Sequence, residues 1–351
     1  MIPALKFDTE EPAATTAADG TGHEKMLPDA LPFARSGFSG VKRIIPWLVG
    51  GAILAYLIWR IEYHTLLDAL SRADIALYGA ALAVFVVLNF LADTQNLYAI
   101  LKHSGNSVPF KDTSIIRGAS YLLMIIDYTL GMGSIAYYLK KFKNIPLLRG
   151  MGLMFLLNYT TQFSLAMMAV AGTILAIDAP SPWLDRIAIV CAAMLAFCIV
   201  FVAVLKLIPD YKFIKKVKQN DLFKVYIETS VGTYAVNIAY RCVFYFTFIL
   251  FFYVALRAFN IEVPFTALVA YVPVILLIIS IPISAFGLGT SQAAMLVLFK
   301  DYGSPAQILA FSLAYSASII IIRGIIGAYY YGIITKRVSN KYKASLLRGE
   351  V

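Results

Sequence analysis

The sequence is poor in charge. Of its 351 residues, 14% are Asp, Glu, Lys or Arg, against about a quarter in a soluble domain. Histidine and cysteine are equally scarce, at three each. His23, His64 and His103 are scattered and share no motif. Cys191, Cys198 and Cys242 lie inside apolar runs without metal-ligand spacing, which reads as small buried hydrophobes. No HExxH and no Gly-Lys-Ser/Thr phosphate loop occurs. These absences argue against a soluble enzyme; no catalytic residue, metal ligand or cofactor is expected.

What is present is apolar sequence, 60% of the chain with 23 Phe and 22 Tyr. It falls into long runs, including 44–59, 75–101, 151–177, 187–208 and 308–334. A spanning helix needs about 20 such residues, since the hydrocarbon layer is about 30 Å thick. The fold class is therefore an all-α polytopic membrane protein. Residues 1–41 are rich in Ala, Thr, Pro and Gly and read as a disordered tail, not a signal peptide. The membrane domain is expected over 42–338, followed by a basic tail at 339–351.

The net charge of +10 does not point to nucleic acid. The basic residues cluster in short loops, where they orient a membrane protein and meet anionic lipid headgroups. Loops 102–117, 140–149 and 209–228, Lys42/Arg43 and the C-terminal tail are basic-rich; loops 60–74, 178–186, 257–262 and 300–304 are mixed. The positive-inside rule places the first group, and both termini, in the cytoplasm. Loops 102–117 and 140–149 then flank one apolar stretch, 114–139, from the same side. A re-entrant hairpin broken at Gly131-Met132-Gly133 accounts for this, and a second, 264–299, is broken at Pro282 and Gly287-Leu288-Gly289. The expected architecture is six full spans, near 44–60, 75–101, 150–177, 186–208, 232–257 and 307–334, plus two re-entrant hairpins. The alternative is eight spans. The 209–228 loop reads as an interfacial helix.

The two broken segments repeat. Gly131 and Gly287 are 156 residues apart, as are Gly133 and Gly289, and two spans in each half keep that offset. Repeat 1 covers about 42–178 and repeat 2 about 186–335. Three crossings per half give the halves opposite orientation, the inverted-repeat plan of many transporters, with a site near the midplane. The other reading of the glycines is close helix packing.

Polar residues inside spans are costly and mark candidate sites. Asp93 shares a helix face with Asn89 and Asn96 at i, i+4, i+7 spacing. Asp127 precedes the first glycine pair and is expected near the centre of the fold. Arg241 and Arg323 offer planar forks suited to phosphate; each can equally pair with Asp93 or Asp127. Asn158, Gln162 and Gln292 complete a candidate polar path.

The segment Ile281-Pro-Ile-Ser-Ala-Phe-Gly-Leu-Gly-Thr-Ser-Gln292, followed by Ile319-Ile-Ile-Ile-Arg323-Gly, resembles the C-terminal signature of the lysylphosphatidylglycerol synthase transmembrane-region family. Residues 127–139 resemble its first glycine signature. The resemblance spans about 42–338 and carries over Pro282, Gly287, Gly289 and Arg323. Ser134 and Gln292 stand where the family usually has Glu, Tyr137 and Tyr138 where it has Arg, and 158–162 replaces an acidic–Arg motif; this marks a divergent branch. The resemblance implies a flippase-like protein of a bacterial inner membrane, translocating or binding a polar (phospho)lipid, with anionic headgroups as partners. The alternative is a non-transporting accessory of a lipid, lipid-linked glycan or hopanoid enzyme; a third reading is an intramembrane sugar transferase. The soluble aminoacyl-transfer domain of the family's fused members is not expected here, nor is aminoacylation.

Overall fold

The computed structural model describes residues 40–347 except 62, 107, 176–181, 208–216 and 281–286. The N-terminal tail, Pro282, much of the 209–228 loop and the last four residues therefore lie outside the described residues. The described elements are all helical: α1 (Gly40–Arg60), α2 (Tyr63–Ser71), α3 (Ile75–His103), α4 (Phe110–Ile126), α5 (Tyr128–Lys143), α6 (Leu147–Leu175), α7 (Pro182–Leu207), α8 (Asp221–Glu228), α9 (Val231–Ala258), α10 (Phe265–Ser280), α11 (Thr290–Leu298) and α12 (Pro305–Leu347).

Five helices are long and apolar enough to cross a membrane: α3, α6, the 186–207 part of α7, α9 and the 305–336 part of α12. The sixth expected span, near 44–60, falls in α1, a helix of 21 residues. The outward faces carry large apolar side chains, such as Val84, Val87, Ile189, Phe197, Ile321 and Ile325. A bilayer, not water, is the solvent that fits such a surface.

The segment 114–139 is a helical hairpin, as expected, but its break lies elsewhere. Asp127, in extended backbone between α4 and α5, caps α5 by accepting from the Leu130 N–H at 3.0 Å. Gly131 and Gly133 fall inside α5 instead. An aspartate stops and restarts a helix better than helical glycines do, because its carboxylate satisfies an orphan N–H. At the open end, the Lys143 ammonium meets Asp112 at 2.8 Å. One crossing of 114–139 would put those two on opposite faces, so the eight-span alternative fails here. We expect cysteines at Lys111 and Asn144 to react with a membrane-impermeant reagent from one side only, and the same side.

The second hairpin, α10 and α11, closes at Gly287, which packs on Ile279, while Tyr271 meets Phe299 at its open end, ring centroids 6.0 Å apart. Here the glycines do form the break. Gly287 and Gly289 have φ of +66° and +83°, a region costly for other residues.

Among the described elements the halves correspond in order, α1 to α6 with α7 to α12. Helices α3 and α9 begin 156 residues apart, at Ile75 and Val231. They run antiparallel along their whole length. The Asp74 N–H reaches the Ala258 carbonyl at 2.7 Å, Phe85 meets Phe248 at 4.9 Å, and Asn96 Nδ2 donates to the Asn237 carbonyl at 3.1 Å. A helix and its repeat partner can lie antiparallel only if the halves are inverted. The packing follows the same symmetry: α4 lies on α12, and α10, its counterpart, lies on α6.

Small residues permit these approaches. A Cβ on Gly327 would sit 2.6 Å from the Leu122 nitrogen, and one on Gly172 2.5 Å from the Val269 carbonyl. By contrast, a Cβ on Gly133 meets nothing within 4 Å. Gly327→Ala should therefore lower the melting temperature in detergent, whereas Gly133→Ala should raise stability by about 0.5–1 kcal/mol through helix propensity.

The basic-rich loops gather on one face. Arg149 pairs with Glu228 at 3.0 Å and donates to the Ser104 carbonyl, while Asp112, Lys143 and Ile334 line one small cavity. On the opposite face, Asn260 donates to the Arg72 carbonyl and Gln307 to the Phe259 carbonyl.

Candidate functional site

The core is split in two. One apolar cluster, rich in Phe85, Phe248, Phe251, Phe252 and Phe311, fills the half towards the mixed-charge face. Another, built on Leu97, Ile116, Ile135 and Leu157, fills the half towards the basic face. Asp93, Arg117 and Arg241 lie where the two adjoin, each at most 5% exposed.

Three helices converge on Asp93. It projects from α3 on the same face as Asn89 and Asn96, as their spacing predicts; all three side chains meet α9. Arg117 of α4 forks onto the carboxylate, Nε to Oδ2 at 2.7 Å and Nη2 to Oδ1 at 3.0 Å. Tyr121, one turn on, donates its hydroxyl to Oδ2 at 2.6 Å. Arg241 of α9 donates from Nη1 to Oδ1 at 3.3 Å. Four donors thus saturate one carboxylate. A lone buried charge would be prohibitive, and this pairing is what makes the burial tolerable.

The balance is nonetheless positive, with two guanidiniums on one carboxylate. A third, Arg323 of α12, lies beside the same tyrosine, its Cζ 5.7 Å from the Tyr121 ring centre, against 5.6 Å for Arg117. Arg323 is half-buried and makes no hydrogen bond or ion pair among the described residues. Unpartnered polar atoms border the cluster. Arg241 Nε, both amide atoms of Asn237, Asn96 Oδ1 and Thr94 Oγ1 are buried without a hydrogen-bond partner. Such orphans are uncommon in a finished core.

The other expected residues fall elsewhere. Asp127 is exposed at the hairpin tip and spends an oxygen on its cap, so it neither sits at the centre of the fold nor pairs with an arginine. Gly131 packs on Met124 of its own hairpin, Gly287 on Ile279, and Gly289 on Gly50 and Ile53 of α1. None of these nearest neighbours comes from the opposite tip. Gln292 is a staple: its Oε1 accepts from the Gly289 N–H at 2.6 Å and its Nε2 donates to Ser316 Oγ at 3.0 Å. Gln162 bonds Ser280 across to α10 at 3.1 Å. Asn158 is half-buried on α6 and makes no hydrogen bond among the described residues.

Two central residues, Arg117 and Tyr121, escaped the sequence reading. Arg117 was counted with the basic loop 102–117, yet it lies within α4, flanked by Ile115, Ile116 and Gly118. Its apolar flanks and the i, i+4 spacing to Tyr121 were the available signal.

The sequence profile of the lysylphosphatidylglycerol synthase TM region matches residues 44–327, most of the chain and all the residues of the cluster. Comparison with curated proteins gives no match. The chain is thus an integral, multi-pass membrane protein, and it belongs to the lysylphosphatidylglycerol synthase TM region family.

Proposed function

We propose that the protein is a flippase-like transporter that binds a polar phospholipid headgroup at the Asp93–Arg117–Arg241 cluster and carries it between leaflets. The observation that carries this reading is the uncompensated Arg323. A guanidinium within a spanning helix is costly and marks a functional site, and a lipid phosphate would supply the anionic partner that it lacks. Membership of the family supports a lipid-related role. The inverted repeats supply two halves that can rock about a fixed central site, the geometry of alternating access.

The two halves are chemically unequal at that site. Towards the mixed-charge face, α3 and α9 are sealed by aromatic contacts, Phe85 stacked on Phe251 at 4.6 Å and Phe252 edge-to-face with Tyr315 of α12 at 5.1 Å. Towards the basic face, the crossing carries the unpartnered Asn96 and Asn237 amide atoms. This favours loading from the basic face, which we assign to the cytoplasm of a bacterial inner membrane by the positive-inside rule, with both termini on that side.

The test is direct. Purified protein in liposomes should move a fluorescent anionic phospholipid between leaflets faster than protein-free vesicles. Folded protein that moves none overturns the reading. A second reading, an accessory of a lipid-modifying enzyme, draws on the saturation of Asp93, since a self-satisfied cluster can also be purely architectural. Under it, the chain co-purifies with an enzyme whether or not Arg323 is intact.

A further inference from the structure

We infer that α10 is the moving element of the transport cycle: its arm beyond Pro273, residues 274–280, swings about a joint at Pro273 and Gly172 and is latched to α6 through Gln162 and Ser280. This rests on the transport reading above and assigns its motion to one helix.

The joint is built into the backbone. Pro273 lies inside α10 and has no N–H, so the Val269 carbonyl four residues back lacks its regular helical donor. Such a site is where a helix bends. Gly172 of α6 packs directly on it. A Cβ there would sit 2.5 Å from the Val269 oxygen and 2.6 Å from the Ala270 nitrogen and Cα. The freed carbonyl therefore faces a bare glycine, and no side chain at that position locks the bend.

The repeat explains why α10 moves and α4 does not. At the 156-residue offset, Pro273 stands where α4 has Arg117, Leu277 where it has Tyr121, and Ile249 of α9 where α3 has Asp93. In the first half, Arg117 and Tyr121 pin α4 to Asp93 with three hydrogen bonds. Pulling a buried ion pair apart is expensive. In the second half the same positions supply apolar contact and an interrupted helix ladder. Apolar contact is non-directional, so it tolerates sliding.

The end of the arm is held lightly. Val272 and Ile275 are 0% exposed, whereas Ser280 is exposed. Gln162 Nε2 donates to Ser280 Oγ at 3.1 Å, and that hydroxyl donates to the Leu277 carbonyl at 2.6 Å. Gln162 lies midway along α6, a spanning helix. A neutral bond of this kind between membrane helices is weak enough to break and re-form in each cycle.

The experiment uses the full chain in liposomes with a fluorescent anionic phospholipid, in a background with the three native cysteines replaced by Ala. Gln162→Cys with Ser280→Cys, joined by a short bis-methanethiosulfonate linker, holds the arm on α6. The leaflet-exchange rate should fall at least about tenfold and return when a reductant removes the linker. Ser280→Cys carrying the linker by one end should keep the rate it has without it. Pro273→Ala restores the missing N–H, so it should melt at or above the parent temperature yet move lipid at least about fivefold more slowly. Linked protein, with the linkage confirmed by mass, that matches its reduced form would overturn the inference and leave transport standing. So would equal slowing by the one-ended linker, or a parental rate in folded Pro273→Ala. No movement by the folded parent would remove the transport reading as well. Should Pro273→Ala fail to fold, the linker result decides alone.

Discussion

Replacing Asp93 by Ala should be the most damaging single change in the protein, costing about 3–5 kcal/mol, the range for breaking a buried ion pair from one side. The cause is not the lost attraction alone. Arg117 and Arg241 are 5% and 3% exposed, and without the carboxylate both guanidiniums stay buried with no counter-charge. Tyr121 loses the acceptor of its 2.6 Å bond as well. The expected observation is aggregated or degraded protein, or a melting temperature in detergent far below that of the parent. Asp127→Ala is the control, because it removes only an exposed helix cap, worth about 1 kcal/mol. A triple variant, Asp93→Ala with Arg117→Met and Arg241→Met, should recover much of the lost stability, since well-packed apolar groups often replace a buried charge cluster at no net loss. It should not recover transport. Equal stability of Asp93→Ala and Asp127→Ala would mean that the cluster contributes nothing to the fold.

Arg323→Ala is expected to do the opposite: leave the fold intact and remove the activity. Arg323 makes no hydrogen bond or ion pair among the described residues and touches Tyr121 only through its ring face, 5.7 Å away. Its loss should change stability by about 1–2 kcal/mol, as a partly desolvated cation–π contact would, well short of the loss expected for Asp93→Ala. If its fork holds the lipid phosphate, each charge-assisted hydrogen bond is worth about 1.5–3 kcal/mol. Losing one slows movement by roughly tenfold to a hundredfold, since each 1.4 kcal/mol is a factor of ten. The measurement is the leaflet-exchange rate in liposomes, normalised to folded protein. Parental rates in a folded Arg323→Ala protein would leave the transport proposal without its central residue.

The arginines around Asp93 divide between fold and function in the same way, and nothing in the sequence separates them. Arg117, Arg241 and Arg323 all lie in apolar surroundings. Reading along the chain assigned Arg117 to a loop because it follows Lys102 and Lys111. The structure makes it the principal partner of Asp93, because the chain turns between His103 and Phe110 and lays the first turns of α4 back beside α3. Asp127 shows the converse. A carboxylate beside a glycine pair in an apolar segment reads as a central site, yet its position between two helices makes it a cap, a local role that uses the same oxygen.

Composition and hydropathy alone determined that this is a helical membrane protein, since runs of about 20 apolar residues have no other stable solution in lipid. The chain also carried its duplication, because Gly131 and Gly287, like Gly133 and Gly289, keep one offset whatever the fold. It even marked the face of α3 that holds Asn89, Asp93 and Asn96, since helical periodicity is local. Tertiary structure alone decided which arginine answers Asp93 and which is left over, which glycine breaks a helix and which lies within one, and that the halves meet along the antiparallel α3–α9 crossing. Those outcomes depend on distances between residues 24 to 148 positions apart. Spacing along a chain fixes only the neighbours within a turn or two, and a charge pair is made by whatever the fold carries to within about 3 Å.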